Sequence, residues 1–180
     1  YFRDPTDEEL AEEVTKTEEF IIKSIMREEI TPFYRFELFP NLKKLHITHQ
    51  ERLYPLGSFV IDGFSALQKL EELKLEIYGD SQRTGFLFQG LLKLPNLLRR
   101  FTLGVAEIRQ QDWILLQQFL KKQSQLESFS LGRFEGSCSK SCYLRQNEYV
   151  ESTIKCLKNQ SLLRYLELNL SFCSLESISN

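Results

Sequence analysis

Apolar and polar residues alternate along this chain in a motif that returns at fixed intervals. Five hexads carry the pattern apolar-x-x-apolar-x-apolar: Leu42-Lys43-Lys44-Leu45-His46-Ile47, Leu70-Glu71-Glu72-Leu73-Lys74-Leu75, Leu98-Arg99-Arg100-Phe101-Thr102-Leu103, Leu126-Glu127-Ser128-Phe129-Ser130-Leu131 and Leu163-Arg164-Tyr165-Leu166-Glu167-Leu168. Their first positions fall at 42, 70, 98, 126 and 163, giving intervals of 28, 28, 28 and 37. One such hexad is cheap in a leucine-rich chain, but three equal intervals in succession are the signature of a structural repeat. The second half of each hexad alternates as a short strand does. The second and third apolar residues therefore share one face, and the residue between them points to the other.

Between hexads the period changes from two to about three and a half. Trp113, Leu116, Phe119 and Leu120 recur at three- and four-residue steps, as one face of a helix requires. Phe59, Phe64 and Leu67 predict a similar element before the second hexad, Leu87, Leu91 and Leu94 before the third, and Val150, Ile154 and Leu157 before the fifth. Each strand–helix unit is too small to bury its own apolar face, so the units must stack. Trp113 and the phenylalanines are accordingly expected in the core.

The hexads and their 28-residue period resemble leucine-rich-repeat proteins of the ribonuclease-inhibitor type, over roughly residues 32–180. The resemblance implies an α/β leucine-rich-repeat solenoid of about five repeats, a horseshoe arc. Its short-stranded parallel sheet would lie on the concave side and its helices on the convex side. The family usually continues the hexad with x-x-Asn or Cys, whereas Gln50, Tyr78, Ala106, Phe134 and Ser171 stand there in this chain. Irregular turns after the strands are therefore expected. Pro95-Asn96-Leu97-Leu98 carries one residue more than Pro40-Asn41-Leu42, which predicts a blurred register in the third unit.

Residues 1–31 lie outside the repeat. Thr6-Asp7-Glu8-Glu9 is a capping box just after Pro5. Leu10, Val14, Ile21 and Ile25 lie close to one helical stripe, and Thr31-Pro32 provides a stop. Together these predict a helix over 7–29 as an N-terminal acidic cap on the open end of the sheet. Docking to a partner through Glu12, Glu13 and Glu19 is the alternative role. The longer fourth interval places an insertion near the Gly/Ser-rich stretch Glu135–Cys142. The opening Tyr1-Phe2-Arg3-Asp4-Pro5 lacks an initiator Met and a signal-peptide pattern, and reads as the start of a fragment or of an ordered part of a longer protein. The chain stops at Asn180, so further repeats or a neighbour are expected to cover the last strand.

Composition narrows the function. A chain of 180 residues with 42% hydrophobic and 27% charged residues fits one soluble globular unit. A net charge of −2 supplies no basic excess for a phosphate backbone. No apolar run approaches the roughly 18–20 residues of a membrane span. Four cysteines, Cys138, Cys142, Cys156 and Cys173, are too few and too clustered for a disulfide framework and read as intracellular, cytoplasmic thiols. Cys138 and Cys142 sit in the inserted loop, where idle thiols are the default and a redox pair the alternative. Zinc would need four ligands, and His46 and His49 belong to a unit three repeats away. With no phosphate-binding glycine loop and no nucleophile or zincin motif, neither an enzyme, a cofactor, a metal nor a small-molecule substrate is expected.

The residues that face away from the core form columns across neighbouring strands. The second hexad position reads Lys43, Glu71, Arg99, Glu127, Arg164, and the third reads Lys44, Glu72, Arg100, Ser128, Tyr165. Alternating sign predicts neutralisation between neighbours and argues against nucleic acid. The candidate binding surface is Lys44, His46, Glu72, Lys74, Arg100, Thr102, Ser130, Tyr165 and Glu167, with Arg100 and Tyr165 as the best anchors. The expected function is a non-catalytic protein-interaction module, a scaffold or subunit of a larger intracellular assembly. The alternatives are a spacer docking through its ends, or a regulator of an enzyme such as a GTPase or a nuclease, the latter by fold analogy alone.

Overall fold

A computed structural model describes residues 16–23, 36–50, 63–78, 85–105, 108–133, 143–158 and 160–169. The described residues build a six-stranded, all-parallel open sheet in sequential order. The strands are β1 (Glu19–Lys23), β2 (Lys44–Gln50), β3 (Glu72–Tyr78), β4 (Arg100–Val105), β5 (Ser128–Arg133) and β6 (Tyr165–Asn169). Between them come a 3-10 turn at Phe36–Leu38, another at Phe64–Ala66, and the helices α1 (Gly85–Leu91), α2 (Gln110–Lys122) and α3 (Tyr143–Leu157). Sequential parallel order with a return element between strands is a solenoid-like arrangement.

The hexads set the pairing. Leu45, Leu73, Phe101, Phe129 and Leu166 stand side by side in register, as do Ile47, Leu75, Leu103, Leu131 and Leu168. The first of these rows is almost wholly buried from Leu45 to Phe129. One backbone device repeats at every junction. The Glu18 carbonyl accepts the amides of Lys43 and Lys44, at 2.8 and 2.9 Å. The carbonyls of Lys43, Glu71, Arg99 and Glu127 do the same for the next strand in turn. Register is thus fixed by backbone bonds just before each strand begins. The blurring expected in the third unit does not occur: Glu72 pairs with Arg100 and Leu73 with Phe101, in step with their neighbours. The turn before Leu98 is no longer than the others: Asn96-Leu97 stand where Gln68-Lys69 and Ser124-Gln125 stand, so Pro95 is shifted by one place and no residue is inserted. Leu98 is buried, and its amide meets the side chain of Gln123 at 3.3 Å.

The helical stripes behave as their spacing requires. Trp113, Leu116, Phe119 and Leu120 of α2 are buried in one continuous core with the inward strand residues. Phe101 of β4 meets Phe119 edge-on, centroids 5.1 Å apart, and stacks on Phe129 of β5 at 5.7 Å. Leu87, Phe88 and Leu91 of α1, and Val150 and Leu157 of α3, join the same core. Phe64 and Leu67 are buried too, but on a 3-10 turn and its exit rather than a helix; Phe59 lies outside the described residues.

The N-terminal expectation is corrected. Residues 19–23 do not continue a helix over 7–29 but form β1, paired in parallel with β2. Phe20 and Ile22 take the register positions of Leu45 and Ile47, so a sixth strand occupies the place assigned to a cap. The physical reason is the β-branched, aromatic run Phe20-Ile21-Ile22, which prefers a pleated surface, together with a neighbouring strand ready to pair. The capping box and the acidic residues Glu12 and Glu13 lie outside the described residues, as does the stretch Glu135–Cys142. No helix among the described residues is long and apolar enough to cross a membrane.

Candidate functional site

Burying one side of each strand leaves the alternate residues on the other, the open face. All nine candidate residues are there. Lys44 and His46 lie on β2, Glu72 and Lys74 on β3, Arg100 and Thr102 on β4, Ser130 on β5, and Tyr165 and Glu167 on β6. They form two rows in register: Lys44, Glu72, Arg100, Ser128 and Tyr165 in one, and His46, Lys74, Thr102, Ser130 and Glu167 in the other. β1 extends the rows with Glu19 and with Ile21, which is half exposed.

Much of the charge in these rows, and in the column of residues just before the strands, is already paired. Lys43 Nζ lies 2.7 Å from Glu18 Oε1, and Lys44 Nζ 3.4 Å from Glu19 Oε2. Arg100 Nη1 reaches Glu72 Oε2 at 3.1 Å, and Arg99 Nε reaches Glu127 Oε1 at 3.7 Å. The bond and charge of Lys43 hold the Glu18 carboxyl below its ordinary range, and Glu18 raises Lys43 in return. These pairs are exposed, so each contributes little stability; their main effect is to keep neighbouring strands in step.

A tighter cluster sits where β2 and β3 run beyond their hexads. Lys74 Nζ lies 2.9 Å from Glu76 Oε1. His46 Nε2 lies 3.0 Å from Glu76 Oε2 and 3.1 Å from Thr48 Oγ1, and the Thr48 hydroxyl donates to Glu76 Oε2 at 3.0 Å. A carboxylate only accepts, so this arrangement assigns the ring proton of His46 to Nε2. Thr48 and Glu76 were not among the residues expected from the sequence. The signal was present, since His46-x-Thr48 and Lys74-x-Glu76 continue the strand alternation past the last apolar residue of each hexad.

Across β4 and β5 the open face changes character. Thr102, Ser128 and Ser130 are short, and the next position in register is the glycine pair Gly104 and Gly132. Space above Gly132 is open: a methyl group there would meet nothing within 4 Å. The result is a low floor, bordered on one side by Lys74 and Glu76 and on the other by Tyr165 and Glu167. Ser130 Oγ donates to Glu167 at 2.8 Å, which orients that carboxylate, while Tyr165 is 54% exposed. Arg100 and Tyr165 lie in one row with Ser128 between them, about 10 Å apart at ordinary strand spacing.

Among the described residues no group of three His, Cys, Asp or Glu side chains is placed to hold a metal ion. Cys156 on α3 is a partly exposed free thiol; Cys138, Cys142 and Cys173 lie outside the described residues. Comparison with protein-family models, with curated proteins and with solved structures returned no match, so the geometry of this sheet stands on its own.

Proposed function

We propose that this chain is a leucine-rich-repeat solenoid segment acting as a non-catalytic protein-interaction module, with the open face of the sheet as its binding surface. One observation carries the reading. Ten polar or aromatic side chains, the nine candidates and Ser128, contributed by five strands, stand in two uninterrupted rows on a face left open by the described elements. The even 28-residue step and the repeated backbone junctions support the family resemblance. The binding partner is a protein rather than a nucleic acid, because alternating, mutually paired charges give no continuous cationic track. Its contact surface carries mixed charge and enters the floor between Lys74 and Tyr165, where Thr102, Ser128 and Ser130 are short and the space above Gly132 is open. The setting is an intracellular assembly.

Photo-crosslinking tests this. A crosslinker at Thr102 in the full chain should capture a discrete protein partner from native extract, whereas one at the exposed Ile114 of α2 should not. Replacing Arg100 and Tyr165 together by alanine should then weaken binding of the purified partner by at least about tenfold, the scale on which two anchors act. Unchanged affinity, or capture from Ile114 alone, would move the site to the helical side.

A further inference from the structure

We propose that copies of this chain associate head to tail, the β6 edge of one copy adding in parallel to the β1 edge of the next. Among the described residues a sheet of order β1 to β6 has two edge strands, and here the two complement each other. The column just before the strands now reads Glu18, Lys43, Glu71, Arg99, Glu127, Arg164, with Glu18 completing the alternation. An even number of alternating members leaves opposite signs at the ends. Arg164 stands at the β6 edge with no ion pair among the described residues, and Glu18 and Glu19 stand at the β1 edge, each paired with one lysine on the β2 side and exposed on the other.

Apolar exposure falls at the same edges. Leu166 occupies the register position of Leu45, Leu73, Phe101 and Phe129, which are at most 1% exposed, yet it is 40% exposed itself. Leu162, in the turn before β6, is also 40% exposed, and Ile21 on β1 is 50% exposed. A strand laid on β6 would cover Leu166 as each strand covers its predecessor. β1 has the matching form, five residues long as β6 is, with Phe20 in the equivalent position. The junction would reuse the device found between all the other strands. Arg164 is next in the series of carbonyls that each accept two amides, and Glu18 and Glu19 sit at the positions that donate them. Such a contact joins two different surfaces without a two-fold axis, so it produces a ladder of species rather than one closed dimer.

Sedimentation velocity on the full chain reads the outcome. The mean mass should rise with protein concentration and fall with added salt, because the end charges are exposed. Arg164→Glu places like charges at the junction, as does Glu18→Arg, and each variant alone should stay monomeric while keeping the folded circular-dichroism spectrum of the wild type, even where loss of the Glu18–Lys43 pair lowers its melt slightly. Mixed in equal amounts they should associate again. The carboxylate introduced at position 164 of one variant then meets the guanidinium introduced at position 18 of the other, while the unaltered ends still match. A wild-type chain monomeric at every concentration would overturn the proposal. So would single variants that associate like the wild type, or a mixture that stays monomeric.

Discussion

Glu76 is pulled in two directions by its surroundings. Partial burial raises its pKa, but the hydrogen bonds from Lys74, His46 and Thr48 and the charge of Lys74 outweigh that and hold it below the ordinary carboxylate value. A carboxyl whose folded pKa is depressed stabilises the fold fully above its unfolded pKa, and that stabilisation is lost as pH falls through the folded value. Stability should therefore decline from about pH 4.5 downward through this group. Glu76→Gln should flatten that part of an acid-denaturation curve while lowering stability at neutral pH; an unchanged acid limb would show that the cluster does not bias folding. A second contrast isolates context from chemistry. Phe101 and Leu166 hold the same register position, but only Phe101 has aromatic neighbours on both α2 and β5. Phe101→Ala should cost about 3–5 kcal/mol in a denaturant titration and Leu166→Ala about 1 kcal/mol, because an exposed side chain leaves no cavity behind.

At the scale of elements, the turns before the strands are joined by polar side chains one period apart. Gln123, fully buried, donates from Nε2 to the Pro95 carbonyl at 3.1 Å while its Oε1 faces the Leu98 amide. Lys122 Nζ reaches the carbonyls of Leu92 and Leu94 at 2.8 and 2.6 Å, capping the exit of α1 from the following unit. Asn96 accepts from the Ser124 amide at 2.6 Å and donates to its hydroxyl at 2.9 Å. Gln123→Leu should cost about 1–3 kcal/mol in chemical denaturation, because it leaves the buried Leu98 amide and the half-buried Pro95 carbonyl without their partner. A neutral result would mean that water or a shifted turn satisfies them. None of these links was legible in the sequence, since no general pattern marks a glutamine as a bridge to another repeat. Strands β2 to β6 were legible, because a leucine or phenylalanine sits at almost every inward position. β1 was not: Thr17 stands where the others have leucine, and its interval to Leu42 is 25 rather than 28. Ile21 and Ile25 also fall at helical spacing, which favoured the wrong period. The open-face rows followed from strand alternation within the hexads; the Glu76 cluster required that alternation to be carried on to Thr48 and Glu76, where the hexad has ended but the strands have not.

For the whole molecule, stacking implies that each unit is stabilised by its own packing and by the contacts on either side. β3 and β4 have a strand on both sides and core residues at most 2% exposed, whereas β6 has one described neighbour and an inward leucine 40% exposed. Local opening should follow that gradient, because an amide exchanges when its own unit comes free and not only when the entire chain unfolds. Hydrogen exchange read by mass spectrometry, at a concentration low enough to suppress association, should rank β3 and β4 as slowest and β6 as fastest. Phe101→Ala should narrow the gap by speeding β4, β5 and α2, since Phe129 and Phe119 lose the ring between them. Uniform exchange across all strands, with a uniform response to that substitution, would instead mean that the sheet opens as one cooperative unit. The same gradient bears on the binding surface. Arg100 and Thr102 belong to a strand held on both sides, while Tyr165 and Glu167 belong to the edge strand. A partner spanning the floor between them would tie the least protected strand to the most protected ones. Its binding should therefore slow exchange in β6 more than in β4, at a protein concentration too low for association through the β6 edge, a difference that contact on the helical side would not produce.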